Sequence, residues 1–274
     1  MNGGQSYVER PPVPLLTGWV SVVWTQQIGP AAAPYVQRNL PHGGMELTCV
    51  LGERPRLTGP LSMLSLEILA PGATLVGVRL RPGTAALLGL SAPELVDRQV
   101  EWNPDHLGER LALAPSPEAA LDNLQHELVG RLADTPARDP LIGPLLHHLQ
   151  PWQDGTVGAL REVLYVSERQ LRRRCLAATG FAPKTLHMML RFQGFLAVAQ
   201  QAVAEGGVPG EDWLARVADD LGYADQSHLH RECVRLAGLP ARAYLGAVES
   251  ACACGHDHSA SYVPILRSRA ERVG

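Results

Sequence analysis

The sharpest grouping of chemically reactive side chains lies near the C-terminus, where two thiols and two imidazoles fall within seven residues: Cys252, Cys254, His256 and His258. Thiolate and imidazole groups are the usual ligands of Zn²⁺ and of other soft metal ions. The spacing is tighter than in a zinc finger, so we expect a flexible chelate rather than a folded zinc module. The alternative is a tail in which these side chains bind nothing.

The other cysteines, Cys49, Cys175 and Cys233, are scattered along the chain. The odd total of five, without a secretory signal, argues against a disulfide framework. We predict that Cys175 and Cys233 are small buried hydrophobic residues. The chain carries no phosphate-binding loop, nucleophile elbow or His-Glu-x-x-His run, so we predict that it is not an enzyme. The one enzymatic alternative is repair of alkylated DNA, for which only Cys49 lies in the N-terminal region.

Basic residues are concentrated in one part of a chain whose formal net charge is only −3. Residues 156–203 contain seven basic and two acidic side chains, whereas residues 204–250 contain four basic and eight acidic ones. A local basic surface attracts nucleic-acid phosphates even when the whole protein is acidic. We therefore expect most of any phosphate contact in the first segment.

A motif occurs twice in this half of the chain, at an offset of 58 residues. Identical residues recur in five pairs, Tyr165/Tyr223, Leu171/Leu229, Arg173/Arg231, Cys175/Cys233 and Gly180/Gly238. Repetition at a fixed offset indicates that one structural unit is used twice.

Each copy has the pattern of two helices joined by a tight turn. We predict helices over 157–164 and 167–178 in the first copy and over 213–221 and 225–237 in the second. Ser167 and Asp225 are suitable N-caps, and Ser167 with Gln170 forms a capping-box pattern. A connecting helix over 183–204 would span about 30 Å, close to the roughly 34 Å of one B-DNA turn. The pattern predicts two helix-turn-helix units that read successive major grooves.

These residues resemble the DNA-binding domain of the AraC family of bacterial transcriptional regulators. The stretches that carry the resemblance are Ser167–Arg173 with Thr179–Pro183, and Leu221–Arg231 with Ala237, Gly238 and Tyr244. The resemblance implies that the DNA contacts are made by Arg169, Arg172 and Arg173 in the first unit and by Gln226, Ser227, His230 and Arg231 in the second.

The N-terminal region reads as short strands separated by Gly and Pro turns, including runs at 19–24, 45–51 and 74–80. In the last run, Leu75, Gly77 and Arg79 alternate with Val76, Val78 and Leu80, so the two sets should face opposite sides of a sheet. Six residues are candidates for a ligand pocket, with core and turn positions as the alternative: Trp19, Trp24, His42, Glu46, Arg79 and Arg81. The stretches 40–47 and 77–83 resemble a domain often fused ahead of AraC-type modules, which implies effector sensing or dimerisation.

Taken together, the sequence predicts an α+β protein with a mainly β N-terminal domain and an all-α C-terminal domain. We place a sensing or dimerisation domain at 1–110, a helical linker at 111–154, the DNA-binding domain at 155–250 and a flexible tail bearing Cys and His at 251–274. The predicted partners are double-stranded DNA and a small-molecule effector, and the resemblance also allows RNA polymerase and a second copy of the chain. No apolar run reaches the roughly 18 residues that span a bilayer and no signal peptide is evident, so we expect a cytoplasmic protein. A metal-responsive regulator and a repair protein remain as alternative functions.

Overall fold

The computed structural model describes residues 5–30, 34–153, 160, 164–206, 210–252 and 259–273. The strands are β1 (Gln5–Arg10), β2 (Val20–Ile28), β3 (Tyr35–Asn39), β4 (Met45–Val50), β5 (Arg56–Thr58), β6 (Ser65–Leu69), β7 (Thr74–Leu80) and β8 (Gln99–Glu101). The helices are α1 (Ala92–Leu95), α2 (Leu107–Ala112), α3 (Pro117–Arg131), α4 (Ile142–His148), α5 (Glu168–Thr179), α6 (Pro183–Gly206), α7 (Glu211–Asp220), α8 (Gln226–Ala237), α9 (Ala241–Cys252) and α10 (Ser259–Val273). Short 3-10 turns occur at Pro14–Leu16, Ala85–Leu88, Pro104–His106 and Leu132–Asp134. The predicted α+β class, with a β-rich N-terminal part and a helical C-terminal part, is confirmed.

Six antiparallel strands form the main sheet in the order β1-β2-β7-β4-β5-β8, and β3 pairs with β6 in a separate ribbon. The predicted alternation along β7 is confirmed. Val76, Val78 and Leu80 belong to the core that the helices cover, whereas Leu75 and Arg79 face a cavity on the other side. Because successive side chains of a strand point to opposite faces, the same sheet supports both a core and a site.

Helices α1 to α3 cover the first face of the sheet. Leu121, Leu124 and Leu128 of α3 are buried against the strands, and they share one core with Leu107 and Leu111 of α2. Ser116 caps α3 by accepting a 3.2 Å hydrogen bond from the Ala119 amide, as its position predicts. Part of the segment that we expected to be a linker, 111–154, is therefore packed into the N-terminal core.

The long helix α6 contributes to two further cores. Its first turns, with Leu186 and Met189, pack with α4 and α5, and its middle, with Phe192 and Phe195, packs with α7, α8 and α9. Burial of apolar side chains at both places makes α6 the common wall of two helical units. Helix α4 lies in the first of these cores, so the expected linker is divided between the N-terminal core and the first unit.

The sequence-predicted caps of the repeated units are confirmed. Ser167 and Gln170 form the reciprocal capping box at the start of α5, and the Asp225 carboxylate accepts a 2.6 Å hydrogen bond from the His228 amide at the start of α8. Gly180 and Gly238, the glycines of the repeat, end the two helices in the left-handed conformation. A glycine adopts this conformation without the steric cost that a Cβ imposes. The helix expected over 157–164 lies largely outside the described residues.

The C-terminal segment differs from our expectation of a flexible tail. Ser259–Val273 form helix α10, in which Tyr262, Ile265 and Leu266 pack against the core shared by α6 and α9. Pro264 lies inside this helix and lowers its intrinsic propensity. Tertiary packing of an apolar face outweighs that cost, as it does for most helices in proteins.

Candidate nucleic-acid interface and interdomain pocket

Three arginines of α5 form an exposed basic row on the face opposite its buried residues. Arg169, Arg172 and Arg173 are exposed, whereas Leu171 and Cys175 are 1% and 0% exposed. No salt bridge within the described residues involves the three guanidinium groups. Their charge is therefore available to an external anion, and the helix presents them from its N-terminal half.

The neighbouring Arg174 has a different role, because its side chain turns back toward the protein. Its Nε donates a 2.6 Å hydrogen bond to Asp139, and a second guanidinium nitrogen contacts the other carboxylate oxygen. This hydrogen bond holds the pKa of Asp139 below its usual value. Arg174 thus fixes α5 to the segment before α4 and does not add to the exposed row.

The corresponding face of α8 is polar but less basic. Gln226, Ser227, His230 and Arg231 are exposed in its first two turns, while Leu229 and Cys233 are fully buried. The structure therefore places every sequence-predicted DNA contact on the outer surface of one of two related helices.

The Arg191 side chain links the connecting helix α6 to the second repeated unit. The Arg191 guanidinium donates to the Gly222 carbonyl at 3.0 Å and to Glu232 of α8 at 2.9 Å. It also lies 4.0 Å from the centroid of the Tyr223 ring. Burial and the nearby Glu232 raise the pKa of the Tyr223 hydroxyl, which therefore stays neutral. Sequence reasoning counted Arg191 only as a positive charge and did not find this junction.

Tyr165 and Tyr223, which the repeat aligns, have opposite environments. Tyr223 is 4% exposed, whereas Tyr165 is 94% exposed and has a positive φ of 52° just before α5. A bulky residue in this conformation is uncommon and is seen more often at functional positions. Tyr165 therefore adds an exposed aromatic side chain beside the basic row, a feature that the repeat alone did not reveal.

The N-terminal domain contacts both exposed helices at their C-terminal ends. A Cβ on Gly180, after α5, would lie 2.6 Å from Val96. The Arg38 side chain of β3 donates a 2.5 Å hydrogen bond to the carbonyl of Ala237, the last residue of α8. A cation at a helix C-terminus is electrostatically favourable. The N-terminal halves of the helices, with the basic and polar rows, stay uncovered.

A cavity of about 210 Å³ lies between the second face of the sheet and the C-terminal helices. Its walls come from strands β1 to β7 on one side and from α6, α9 and α10 on the other. Two side chains of α10 help to close it: Tyr262 is part of the lining, and Ser261 accepts a 2.9 Å hydrogen bond from Arg79. Any molecule bound here would touch both halves of the protein.

Four of the six residues predicted for a ligand pocket line this cavity, namely Trp24, His42, Glu46 and Arg79. Trp19 and Arg81 do not line it, and that part of the prediction is wrong. The Trp19 ring lies under the Arg138 guanidinium at 4.3 Å, and Arg81 Nε donates to the carbonyls of Thr17 and Val20. Trp19 precedes the first residue of β2 and packs against the core that the helices cover, and Arg81 follows the last residue of β7. Because neither residue lies inside a strand, the alternation along β2 and β7 does not fix where its side chain points.

The central charges of the cavity belong to Arg79, Glu9 and Glu46. Arg79 lies 3.5 Å from Glu9 and 3.3 Å from Glu46. Burial on its own would lower the pKa of Arg79, but the two carboxylates and Tyr7 raise it above its usual value, so the guanidinium stays charged. Burial, with a contribution from Arg79, lowers the pKa of His42 to about 3. His42 is therefore neutral, and its Nδ1 accepts a 3.3 Å hydrogen bond from the Gly44 amide.

All three described cysteines outside the C-terminal cluster are buried and free. Burial raises the pKa of Cys49 and Cys233 to about 12 and that of Cys175 to about 11. Cys175 and Cys233 are thus buried small residues, as predicted. Because the thiolate is the nucleophile, the protonated and buried Cys49 is a poor candidate for an alkyl acceptor.

The predicted metal ligands lie at the junction of α9 and α10. Cys252 is the last residue of α9, whereas Cys254, His256 and His258 lie outside the described residues. Within the part of the chain that is described, no group of three or more His, Cys, Asp or Glu side chains could hold a metal ion. No described helix is both long enough and apolar enough to cross a membrane.

Comparison with known proteins gives three findings. A family model, "Domain of unknown function (DUF6597)", matches residues 8–101, which include strands β2 to β8. No curated protein matches the chain. Among solved structures, the chain is similar to ToxT from Vibrio cholerae O395, with 11% identity, 82% of this chain and 96% of that chain covered, and a TM-score of 0.47. It is also similar to ToxT of Vibrio cholerae strain SCE256 bound to an unsaturated fatty acid, with 10% identity, 88% and 94% coverage, and a TM-score of 0.41.

Proposed function

We propose that this protein is an AraC-type, sequence-specific DNA-binding transcriptional regulator, in which α5 and α8 are the recognition helices. Each helix would enter a major groove with its N-terminal half, in the manner of helix-turn-helix proteins. Arg169, Arg172 and Arg173 would contact DNA from α5, and Gln226, Ser227, His230 and Arg231 from α8. We assign no catalytic activity.

This proposal rests on the exposed basic row of α5, whose three arginines have no ionic partner among the described residues. The row lies on a capped helix, and α8 is the second copy of that helix in the repeat. Arginines whose charge is not used inside the protein are available to phosphates and to guanine edges. Arg174, the one arginine of this helix that is paired within the described structure, differs from the other three, so the four arginines are not equivalent solvated side chains.

The N-terminal domain would act as the sensor of a small effector. The cavity is bounded by its sheet and by α6 and α9, which also build the second helix-turn-helix unit. A bound molecule would alter how this unit is held, and with it the affinity for DNA, by favouring one arrangement over another.

Selection of bound sequences from random DNA duplexes tests the proposal with the full-length protein. We expect an enriched site whose two contacted segments lie about 10–10.5 base pairs apart, which is one helical turn. Affinity for that site should fall steeply as salt is raised, because arginine–phosphate contacts release counterions. Failure to enrich any sequence, or an affinity that does not change with salt, would contradict the proposal.

A further inference from the structure

The wall of the interdomain cavity is rich in neutral hydrogen-bonding groups. Six side-chain amides line it, from Gln5, Gln26, Gln37, Asn39, Gln193 and Gln200. The buried Nε2 of Gln5 and Nε of Arg79 have no hydrogen-bond partner in the described part of the protein. An unpaired polar group costs free energy when an apolar molecule displaces its water. The wall therefore suits a polar ligand that can pair with these groups.

Among the described residues that line the cavity, the three carboxylates of Glu9, Glu46 and Glu67 outnumber the two guanidinium groups of Arg38 and Arg79. Arg79 pairs with Glu9 and with Oε1 of Glu46, and that same Oε1 accepts a 2.8 Å hydrogen bond from the Trp24 indole. The hydrogen bonds found for the Glu46 carboxylate within the described part of the chain all go to Oε1 and none to Oε2. A second cation placed at this oxygen would complete the ion pairing, whereas an anion would meet uncompensated carboxylate charge.

Aromatic side chains also line the cavity. Four of the six tyrosines of the chain, Tyr7, Tyr35, Tyr244 and Tyr262, line the cavity together with Trp24. The Tyr7 and Trp24 rings are 5.5 Å apart, and the indole is held against Glu46 by its hydrogen bond. This hydrogen bond sets Glu46 at the edge of the indole, so a cation held by Glu46 lies near an aromatic wall on which a flat skeleton attached to the cation can stack.

We infer that the interdomain cavity binds a small organic cation, an amine or amidine on an aromatic or otherwise flat skeleton, with Glu46 as its counter-ion. Trp24 and the tyrosines would stack on the ligand, and the amides would hydrogen-bond its remaining polar groups. The binding itself stands on the geometry of the cavity, and only its effect on DNA affinity rests on the proposed function.

Benzamidine, benzamide and benzoate test this inference, because the three probes have nearly the same size and shape but carry positive, zero and negative charge. Each is titrated calorimetrically into the full-length protein without DNA. We expect benzamidine to bind with a Kd of about 1 mM, as suits a fragment of its size. Benzamide should bind about tenfold more weakly, since it lacks the charge-assisted contact, and benzoate weakest of all. Equal binding of the three, stronger binding of benzoate, or no binding of benzamidine would overturn the inference.

A pair of variants locates the site. Glu46→Gln keeps the size of the side chain and an acceptor for the Trp24 indole, and it should remove the tenfold preference for benzamidine over benzamide. Glu101→Gln is the matched control, because Glu101 is exposed and pairs with Arg54 away from the cavity. An unchanged preference in Glu46→Gln would place the cation elsewhere and refute the assignment.

The comparison of probes on the wild-type protein needs no variant, so it stands even if Glu46→Gln fails to fold. The two proposals also fail separately. Benzamidine binding without any enriched DNA site would support the cation site and refute the proposed function as a DNA-binding regulator. An enriched DNA site without benzamidine binding would support the regulator and refute the cation site.

Discussion

At the scale of single residues, the arginines of α5 are of two kinds. Arg169, Arg172 and Arg173 have no ionic partner in the described protein, whereas Arg174 is bonded to Asp139. Their charge is the same, so composition could not separate them. The tertiary structure separates them, because Arg174 is used in an internal ion pair and the other three are available to an external anion.

Replacing Arg173 with alanine should weaken specific DNA binding by about 1–3 kcal/mol, because a bidentate base or phosphate contact is lost. The measurement is a titration of the selected DNA site, at two salt concentrations, with a melting curve to confirm folding. Arg54→Ala is the control, since it removes one exposed positive charge from the N-terminal domain. Equal losses in the two variants would indicate a general charge effect and refute the role of Arg173.

Gly77 determines where the Trp24 ring can lie. The two residues are partners across β2 and β7, and a Cβ on Gly77 would lie 2.2 Å from two atoms of the indole. No real side chain tolerates such a contact, so glycine at this position lets the indole reach Glu46.

The substitution Gly77→Ala should therefore lower the free energy of unfolding by about 1–3 kcal/mol, which is typical of overpacking. It should also abolish binding of benzamidine, because the indole is displaced. Gly130→Ala, in the last turn of α3 with no atom within 4 Å of the added Cβ, is the matched control. It should raise the free energy of unfolding by up to about 1 kcal/mol, as alanine favours a helix over glycine. Denaturant unfolding of both variants is the measurement. An unchanged free energy of unfolding in Gly77→Ala would show that Gly77 does not set the position of the Trp24 indole.

At the scale of elements, helix α6 holds the two repeated helical units together. It contributes apolar residues to both cores, and its Arg191 reaches across to the turn and to α8 of the second unit. The orientation of α8 therefore depends on this side chain as well as on apolar packing.

Arg191→Met should lower the free energy of unfolding by about 1–3 kcal/mol, because Glu232 and the Gly222 carbonyl lose a charged donor in a largely buried place. We expect the loss of DNA affinity to exceed what the lost charge alone would cause, since α8 is no longer fixed. Arg216→Met on the exposed face of α7 is the control for charge and side-chain length. Similar unfolding curves for the two variants would show that the junction does not stabilise the unit.

The connection between α9 and α10 contains the sequence-predicted soft-metal ligands, which stay a prediction. If Cys252, Cys254, His256 and His258 bind Zn²⁺, binding should strengthen as the pH rises through the thiol range, because thiolate is the ligand. Calorimetric titration of Zn²⁺ into the wild type and into the double variant Cys252→Ser, Cys254→Ser is the measurement. Equal Zn²⁺ uptake by the two proteins would refute the predicted metal site.

At the scale of the whole molecule, the boundary of the proposed DNA-binding domain follows its hydrophobic cores rather than its sequence motifs. Leu141, Ile142, Leu145 and Leu149 of the α4 region are buried in the same core as α5. The Asp139–Arg174 pair lies beside them. The segment 155–250 that the motifs indicate omits these partners.

We therefore expect a fragment of residues 137–252 to fold, to bind DNA and to melt at a higher temperature than a fragment of residues 150–250. Removing α4 would expose the apolar face of α5 and cost several kcal/mol of buried surface. Circular dichroism melting of the two fragments makes the comparison, with the full-length protein as reference. Equal melting temperatures would mean that α4 does not belong to this domain.

The sequence by itself determined the local features, because these depend on neighbours along the chain. The caps at Ser116, Ser167 and Asp225, the glycines that end α5 and α8, and the two faces of β7 follow from residue type and spacing. The same spacing placed the seven predicted DNA contacts on exposed helix surfaces. Helix α10 was missed although Tyr262, Ile265, Leu266 and Arg269 recur at helical spacing, since Pro264 interrupts the pattern.

Only the tertiary structure determined where the cavity lies and which of the four arginines of α5 is paired inside the protein. Glu9, Glu46, Arg79, Gln193 and Tyr262 are far apart in the sequence and meet because β1, β4, β7, α6 and α10 pack together. Trp19 and Arg81, which were predicted to be pocket residues, lie just outside β2 and β7 and do not line the cavity. Contacts between distant residues depend on how apolar faces are buried against one another, and no local pattern encodes that arrangement.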